Sequence, residues 1–221
     1  MITDQSLSRA DLVKALAQGE TEFARCDLSG ADLKRIETDR LRFDHCLFPG
    51  ADFTGADLEE AQFLHCALPK ARFVGARLGE AQFSTCNLTA ADFSGATLRS
   101  ARFDGCKISG GNFTDASSLD IGFAACLLVN ASLRQMSFRK MVLREVDFSD
   151  ADLTEADFRD ASFEKCSLRE ATLKLAKFAG ADLRGCDLGP VELSTAGLFK
   201  GAVISREQAS ELLRGFGLKV I

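Results

Sequence analysis

Residues Ala51–Phe63 read ADFTGADLEEAQF. Ala-Asp-Phe is followed by Ala-Asp-Leu and then Ala-Gln-Phe, each five residues after the last. A helix repeats near 3.6 residues and a strand at 2, so neither explains a period of five. Followed outward, the pattern takes in almost the whole chain. Leu, Phe, Ile or Val occupies nearly every position numbered 3 or 8 in its decade, from Phe23 to Val203. That makes 37 consecutive slots, of which only Thr38 and Ser118 are not large and apolar. No insertion breaks the register. Two residues before each centre stands a second selected position, mostly Ala, Cys or Gly, as in Ala51, Ala56, Ala61 and Cys66. One polar residue separates the two, which is strand alternation with two side chains in and one out. The other two residues are rich in Gly, Ser and charged types and suit a corner. Three extended residues and a bend form one side of a polygon, and a chain of such sides must coil.

The cysteines count the sides. Cys26, Cys46, Cys66, Cys86, Cys106, Cys126, Cys166 and Cys186 all occupy the small slot in steps of 20, with Val146 filling the one gap. A period of 20 over a unit of five gives four sides per turn. The phenylalanines agree: Phe23, Phe43, Phe63, Phe83, Phe103 and Phe123 form one column, and Phe53, Phe73, Phe93 and Phe113 form the opposite one. Leu58, Leu78 and Leu98 lie on a side between them. Where a centre is too small, a neighbouring small slot is too large: Ile36 and Leu41 beside Thr38, and Ile121 after Ser118. A packed interior requires such local conservation of volume. Met136, Met141 and Val146 are again bulky, and beyond Met136 the phenylalanines shift to Phe138, Phe158 and Phe178. We expect distorted coils there and two segments of slightly different cross-section within one domain.

The repeat resembles that of the pentapeptide-repeat proteins, roughly A(D/N)LXX, over Phe23 to Val203. The resemblance implies an all-β fold, a right-handed quadrilateral β-helix. Its coils would stack about 4.8 Å apart, a little over nine of them making a rod roughly 45 Å long. Stability would be close to a sum of nearest-neighbour terms.

Open strand edges at the ends of such a stack invite aggregation, and both termini read as plugs. Residues 1–20 form an N-terminal helical cap: Ser8 with Asp11 is a capping-box-like start, Leu12, Ala15 and Leu16 share a face, and Gly19 stops the helix. Residues 21–204 are the β-helix. Residues 205–221 are a C-terminal helix and dimerisation segment, starting at Ser205 with Gln208 at the box position. Gly215 and Gly217 end that helix, and Leu218 to Ile221 read as a short final strand. Gln208-Ala209-Ser210, Leu212, Gly217, Val220 and Ile221 resemble the C-terminus of the Qnr quinolone-resistance group, as does DASSLDIGFAAC, Asp115–Cys126. In that group the C-terminal element joins two copies. The resemblance therefore implies a homodimer through Leu212, Leu213, Phe216, Leu218, Val220 and Ile221. Qnr proteins often carry loop insertions from the coils. This chain has none, and in that respect is similar to the loop-free mycobacterial relative MfpA.

Composition bounds the function. The chain is 46% hydrophobic and 27% charged, with 18 Phe and neither Trp nor Tyr. A net charge of -5 argues against a general nucleic-acid binder, which carries a basic face. No apolar run approaches 18 residues, so no membrane span is expected. The first residues lack a secretory signal, so a cytoplasmic location with reduced thiols is expected. The cysteines then read as small buried hydrophobes, although stacked coils would allow a disulfide ladder. Zinc-ligand spacings are missing. His45 and His65, the only histidines, stack at one corner, with no carboxylate or third ligand evident, and read as solvated. There is no phosphate loop and no Ser-His-Asp set. We expect no catalytic residues, cofactor or metal, and a filled coil offers an enzyme no pocket.

Function then falls to the outer faces. On the side centred on Leu33, Phe53 and Phe73, the outward residues are Asp32, Asp52, Arg72, Asp92, Asn112, Ser132, Asp152, Thr172 and Glu192. Asp32, Asp52, Asp92, Asp152 and Glu192 make this the candidate partner-binding face. Residues 145–164 hold eight acids and one arginine. The Qnr and MfpA resemblance implies a DNA mimic that binds a type II topoisomerase, DNA gyrase or topoisomerase IV, and affects quinolone or gyrase-toxin resistance. Duplex DNA carries one charge per about 1.7 Å, so 45 Å holds roughly 26, against a net -5 here. Shape and local acidic columns, rather than matched charge, would have to steer a basic saddle. The alternative is a scaffold or interaction module, toxin immunity included, with no topoisomerase link.

Overall fold

The computed structural model describes residues 1–38, 40–190, 196–215 and 217–219. Ten parallel strands follow one another in sequence order in a single sheet. They are β1 (Ile2–Thr3), β2 (Glu22–Ala24), β3 (Arg42–Asp44), β4 (Gln62–Leu64), β5 (Gln82–Ser84), β6 (Arg102–Asp104), β7 (Gly122–Ala124), β8 (Val142–Arg144), β9 (Ser162–Ser167) and β10 (Asp182–Asp187). Helix α1 (Arg9–Ala17) lies between β1 and β2; a 3-10 turn (Ala196–Phe199) and helix α2 (Arg206–Gly215) follow β10. The sheet is the first of four faces. The other three carry single bridges in the same 20-residue register: Leu47 to Ala67, Asp52 to Arg72 and Asp57 to Arg77. The molecule is a parallel β-solenoid of about nine coils.

The period of five follows from the corner. After the second, third and fourth faces the chain closes a four-residue turn, as Ala51, Ala56 and Ala61 donate N–H to Phe48, Phe53 and Leu58 O at 3.0, 3.0 and 3.1 Å. The residue before nearly every small slot is left-handed: φ is 65° at Gly55, 57° at Glu60 and 53° at His45. Glycine adopts this conformation without cost; elsewhere the ladder must impose it. The small slot has to be small because it sits inside the bend, and Ala51, Ala56, Ala61 and Cys66 are all buried.

Inside, identical side chains meet one coil apart. Phe63 and Phe83 stack at 4.9 Å and 2°, and Phe53 and Phe73 at 4.9 Å and 3°. The two columns meet edge to face, Phe63 to Phe73 at 6.2 Å and 82°. Each such pair adds about 0.5–1.5 kcal/mol beyond its buried area. All eight cysteines are free and buried. Their thiols point at carbonyls, for example Cys86 Sγ to Phe63 O at 3.2 Å.

The two defective centres behave differently. At Thr38 the gap is filled by buried Ile36 and Leu41, and Thr38 Oγ1 is left buried without a partner. At Ser118 the stack opens. Thr97 bridges Ser117 and Ser137 bridges Asp157, but Ser117 does not bridge Ser137. The N–H groups of Ser118 and Asp120 lack the bonds to the next coil that Leu98 and Ser100 make, and β7 meets β8 only at Ala124 and Arg144. Above the break the aromatic column has moved to the fourth face, where Phe138 and Phe158 stack at 4.8 Å.

Both ends are closed. Ser8 and Asp11 form the capping box of α1, whose Leu12 and Ala15 are buried. Residues 1–20 hold more than a helix, since β1 pairs with β2 and starts the ladder before α1. At the other end Ser205 N–H donates to Gln208 Oε1 at 2.7 Å, and Gln208 N–H to Ser205 Oγ at 3.2 Å. Gln208 Nε2 then donates to Leu183 O and Cys186 O, both at 2.7 Å, tying α2 to the last coil. Gly217, at φ 78°, donates to Arg214 O, and Leu218 to Leu213 O, a glycine-terminated helix end. Leu218 and Lys219 lie in no strand. The remainder of the expected final strand, Val220 and Ile221, lies outside the described residues. Among the described residues no helix is long and apolar enough to cross a membrane.

Candidate functional site

The third face assembles the acidic column as its spacing requires. Parallel bridges join Asp32 to Asp52, Asp52 to Arg72, Arg72 to Asp92, Asp92 to Asn112, and Ser132 to Asp152. Glu192 lies outside the described residues. The carboxylates, however, first serve their own corners. Asp52 accepts from Thr54 N–H at 3.0 Å and from the Thr54 hydroxyl; Asp92 accepts from Ser94 N–H at 3.1 Å and Asn112 Nδ2 at 3.0 Å. An aspartate that accepts from the N–H two residues on stabilises a turn, which is why the repeat favours Asp at this slot. At Asp52 burial pushes the carboxyl up, but the Thr54 hydroxyl and N–H outweigh it and the net shift is downward. Asp152 is lowered by the same balance.

Cations from neighbouring coils complete the pairing. Asp52 lies 3.5 Å from Lys34 and 3.4 Å from Arg72, Asp152 is 3.0 Å from Arg134, and Asp32 stands 3.9 Å from Lys34. The acid-rich run 145–164 is neutralised in part: Glu145 by Lys165, Asp160 by Arg139 and Glu164 by Arg144 from neighbouring coils, and Asp157 by Arg159 of its own coil. Along this column and this run, Asp92, Asp147, Asp150 and Glu155 pair with no cation among the described residues.

At the C-terminus, α2 leaves Leu213 and Leu218 exposed and Leu212 half-buried, an apolar edge beyond the last coil. Phe216, Val220 and Ile221 lie outside the described residues.

Two features escaped the sequence reading. The opening at Ser118 creates a cleft of about 860 Å³ lined by Leu119, Ile121, Met141 and Val142, with Arg102, Arg139 and Lys140 at its rim. The expectation that the coils offer no pocket therefore fails here. Its serines, Ser118 and Ser137, stand beside no histidine. The signal was present in two apolar residues at outward slots, Leu119 and Val142, both now exposed. The second feature is a carboxylate between the histidines. Asp44 Oδ1 lies 2.8 Å from His45 Nδ1 and 3.2 Å from His65 Nδ1. Asp44 precedes His45 in the chain and lies one coil below His65, so the period of 20 already placed all three together.

The family model of the pentapeptide repeat region matches residues 56–128 and 119–196. The chain belongs to the pentapeptide-repeat family. No curated protein sequence matches it. Among solved pentapeptide-repeat structures it is similar to two trypsin-treated forms of QnrB1, a plasmid-mediated fluoroquinolone resistance protein. Each is 24% identical over 90% of this chain and 99% of that one, with TM-scores of 0.80 and 0.81. Full-length QnrB1 is 22% identical over 89% of this chain and 100% of that one, with a TM-score of 0.71. At these identities the likeness concerns the fold. In this pentapeptide-repeat chain the two family matches overlap at 119–128, beside the opened coil.

Proposed function

We propose that this pentapeptide-repeat protein is a non-enzymatic binding rod whose partner is a type II topoisomerase, DNA gyrase or topoisomerase IV. It would act as a homodimer joined through the exposed edge of α2, and would modulate the enzyme or protect it from quinolones or gyrase toxins. The observation that carries the reading is the end-to-end likeness to QnrB1, a fluoroquinolone resistance protein, over 90% of this chain. The filled interior agrees, because it leaves the outer faces as the place for function. Recognition in this reading is by shape. Many of the acids are held in ion pairs, and those left free, Asp92, Asp147 and Asp150 among them, fall far short of the charge density of DNA.

A gyrase supercoiling assay with and without a fluoroquinolone tests it. Inhibition of supercoiling, or rescue from the drug, supports the reading. Neither effect, together with no binding at tens of micromolar, overturns it. The neutralised third face favours a second reading, a scaffold or immunity module for another protein; its mark is a captured partner that lacks a basic DNA groove.

A further inference from the structure

The only two histidines of the chain lie directly on one another. His45 follows β3, and His65 takes the same position one coil later. Both backbones are fixed: His45 N–H donates to Leu64 O and His65 N–H to Ser84 O, each at 2.9 Å, and φ is 53° and 54°. The imidazoles stack at 4.5 Å and 24°. Both Nδ1 atoms converge on the same oxygen, Asp44 Oδ1, and the three ligand atoms lie within 4.8 Å of one another. The one other charge close by, Arg25, is engaged by Asp4 at 2.6 Å.

We propose that Asp44, His45 and His65 form a surface site for a divalent transition metal ion of the zinc class. Such an ion bonds imidazole nitrogen and carboxylate oxygen at about 2.0–2.2 Å, which sets ligand atoms about 3.3 Å apart in a tetrahedral site. The Nδ1–Oδ1 separations of 2.8 and 3.2 Å are near that spacing, and the stacked rings must turn apart for both Nδ1 lone pairs to point at one ion. On binding, the ion takes the place of the two Nδ1 protons, which move to Nε2 or leave to solvent. Water completes the coordination. Two imidazoles with one carboxylate select zinc, nickel or copper over magnesium and calcium, which want oxygen donors. The ion clamps two coils 20 residues apart, so binding stabilises the fold.

The test is calorimetric titration of the full chain, stripped with chelator, with zinc chloride, and in parallel of His45→Ala, His65→Ala and Asp44→Asn. All three positions are solvent-exposed or partly so, and an unchanged circular dichroism spectrum confirms that each variant is folded. One zinc per chain is expected, with affinity lowered by at least about tenfold in either histidine variant and no response to magnesium. Zinc should also raise the thermal midpoint of the parent and not of His65→Ala. Absence of saturable zinc binding overturns the proposal. So does binding that persists unchanged in His65→Ala, which places the ion elsewhere, such as on a cysteine.

Discussion

If Ile121 occupies the volume that Ser118 leaves empty, the two positions must be energetically coupled. Ile121 is 1% exposed in a slot where the coil below carries Ala101, and Ser118 stands where that coil carries Leu98. Ile121→Ala alone empties a buried site and should cost about 2–5 kcal/mol. Ser118→Leu alone presses a centre-sized side chain against Ile121 and should cost about 1–3 kcal/mol. The double variant restores the Leu and Ala of the regular coil, with Met136 and Met141 above it flexible enough to adjust. It should lie about 1–3 kcal/mol above the sum of the single effects. With no Trp or Tyr in the chain, urea unfolding is followed by far-ultraviolet circular dichroism. Amide exchange gives a second readout: Ser118 and Asp120 have no bond to the next coil, and both should gain protection if the double variant closes the cleft. Additivity within about 0.5 kcal/mol would refute the compensation.

Three further outcomes are expected. Hydrogen bonds from Arg102, Arg159 and Arg184 lead the causes that hold Asp120, Asp157 and Asp182 below the ordinary carboxylate range. Near the unfolded value of about 3.9 the unfolded chain then binds more protons than the folded one. Their stabilisation is complete above that pH and is lost as pH falls through the folded values. The urea midpoint should therefore hold level from pH 7 to about 5 and drop below about 4; a midpoint still level at about pH 2.5 contradicts these assignments. Burial pushes the Cys166 and Cys186 thiols up, and all eight thiols are buried. Ellman's reagent should label none of them rapidly in the native protein and all of them in guanidinium; rapid native labelling would break the closed-coil picture. Leu212→Asp combined with Leu213→Asp should convert the proposed dimer to a 23.9 kDa chain by light scattering, and an unchanged mass would remove α2 from the interface.

The rod was legible because every inward slot faces copies of itself. Phe63 sees Phe43 and Phe83, and that self-consistency writes one residue type into the sequence every 20 positions. The outward residues answer to no such rule. Arg134 reaches Asp152, 18 residues on, while Arg144 reaches Glu164, 20 on; which acid a flexible arginine meets depends on side-chain direction across a corner. Counting acids thus places Asp32, Asp52, Asp92 and Asp152 in one column, where all but Asp92 also pair with a cation. The cleft was hidden for a related reason. Thr38 and Ser118 are similar lapses in the sequence, but two large neighbours close the first and only Ile121 serves the second, so the same lapse gives a sealed coil in one place and an open one in the other. A partner that reads this surface therefore meets two kinds of feature. One is regular, a stack of coils with many of its acids held in ion pairs. The other is local: the cleft at Leu119 and Val142, the Asp44–His45–His65 corner and the apolar edge of α2. The regular coils repeat one backbone geometry, so the local departures, where the repeat was broken, are the features that set this rod's surface apart from its own coils.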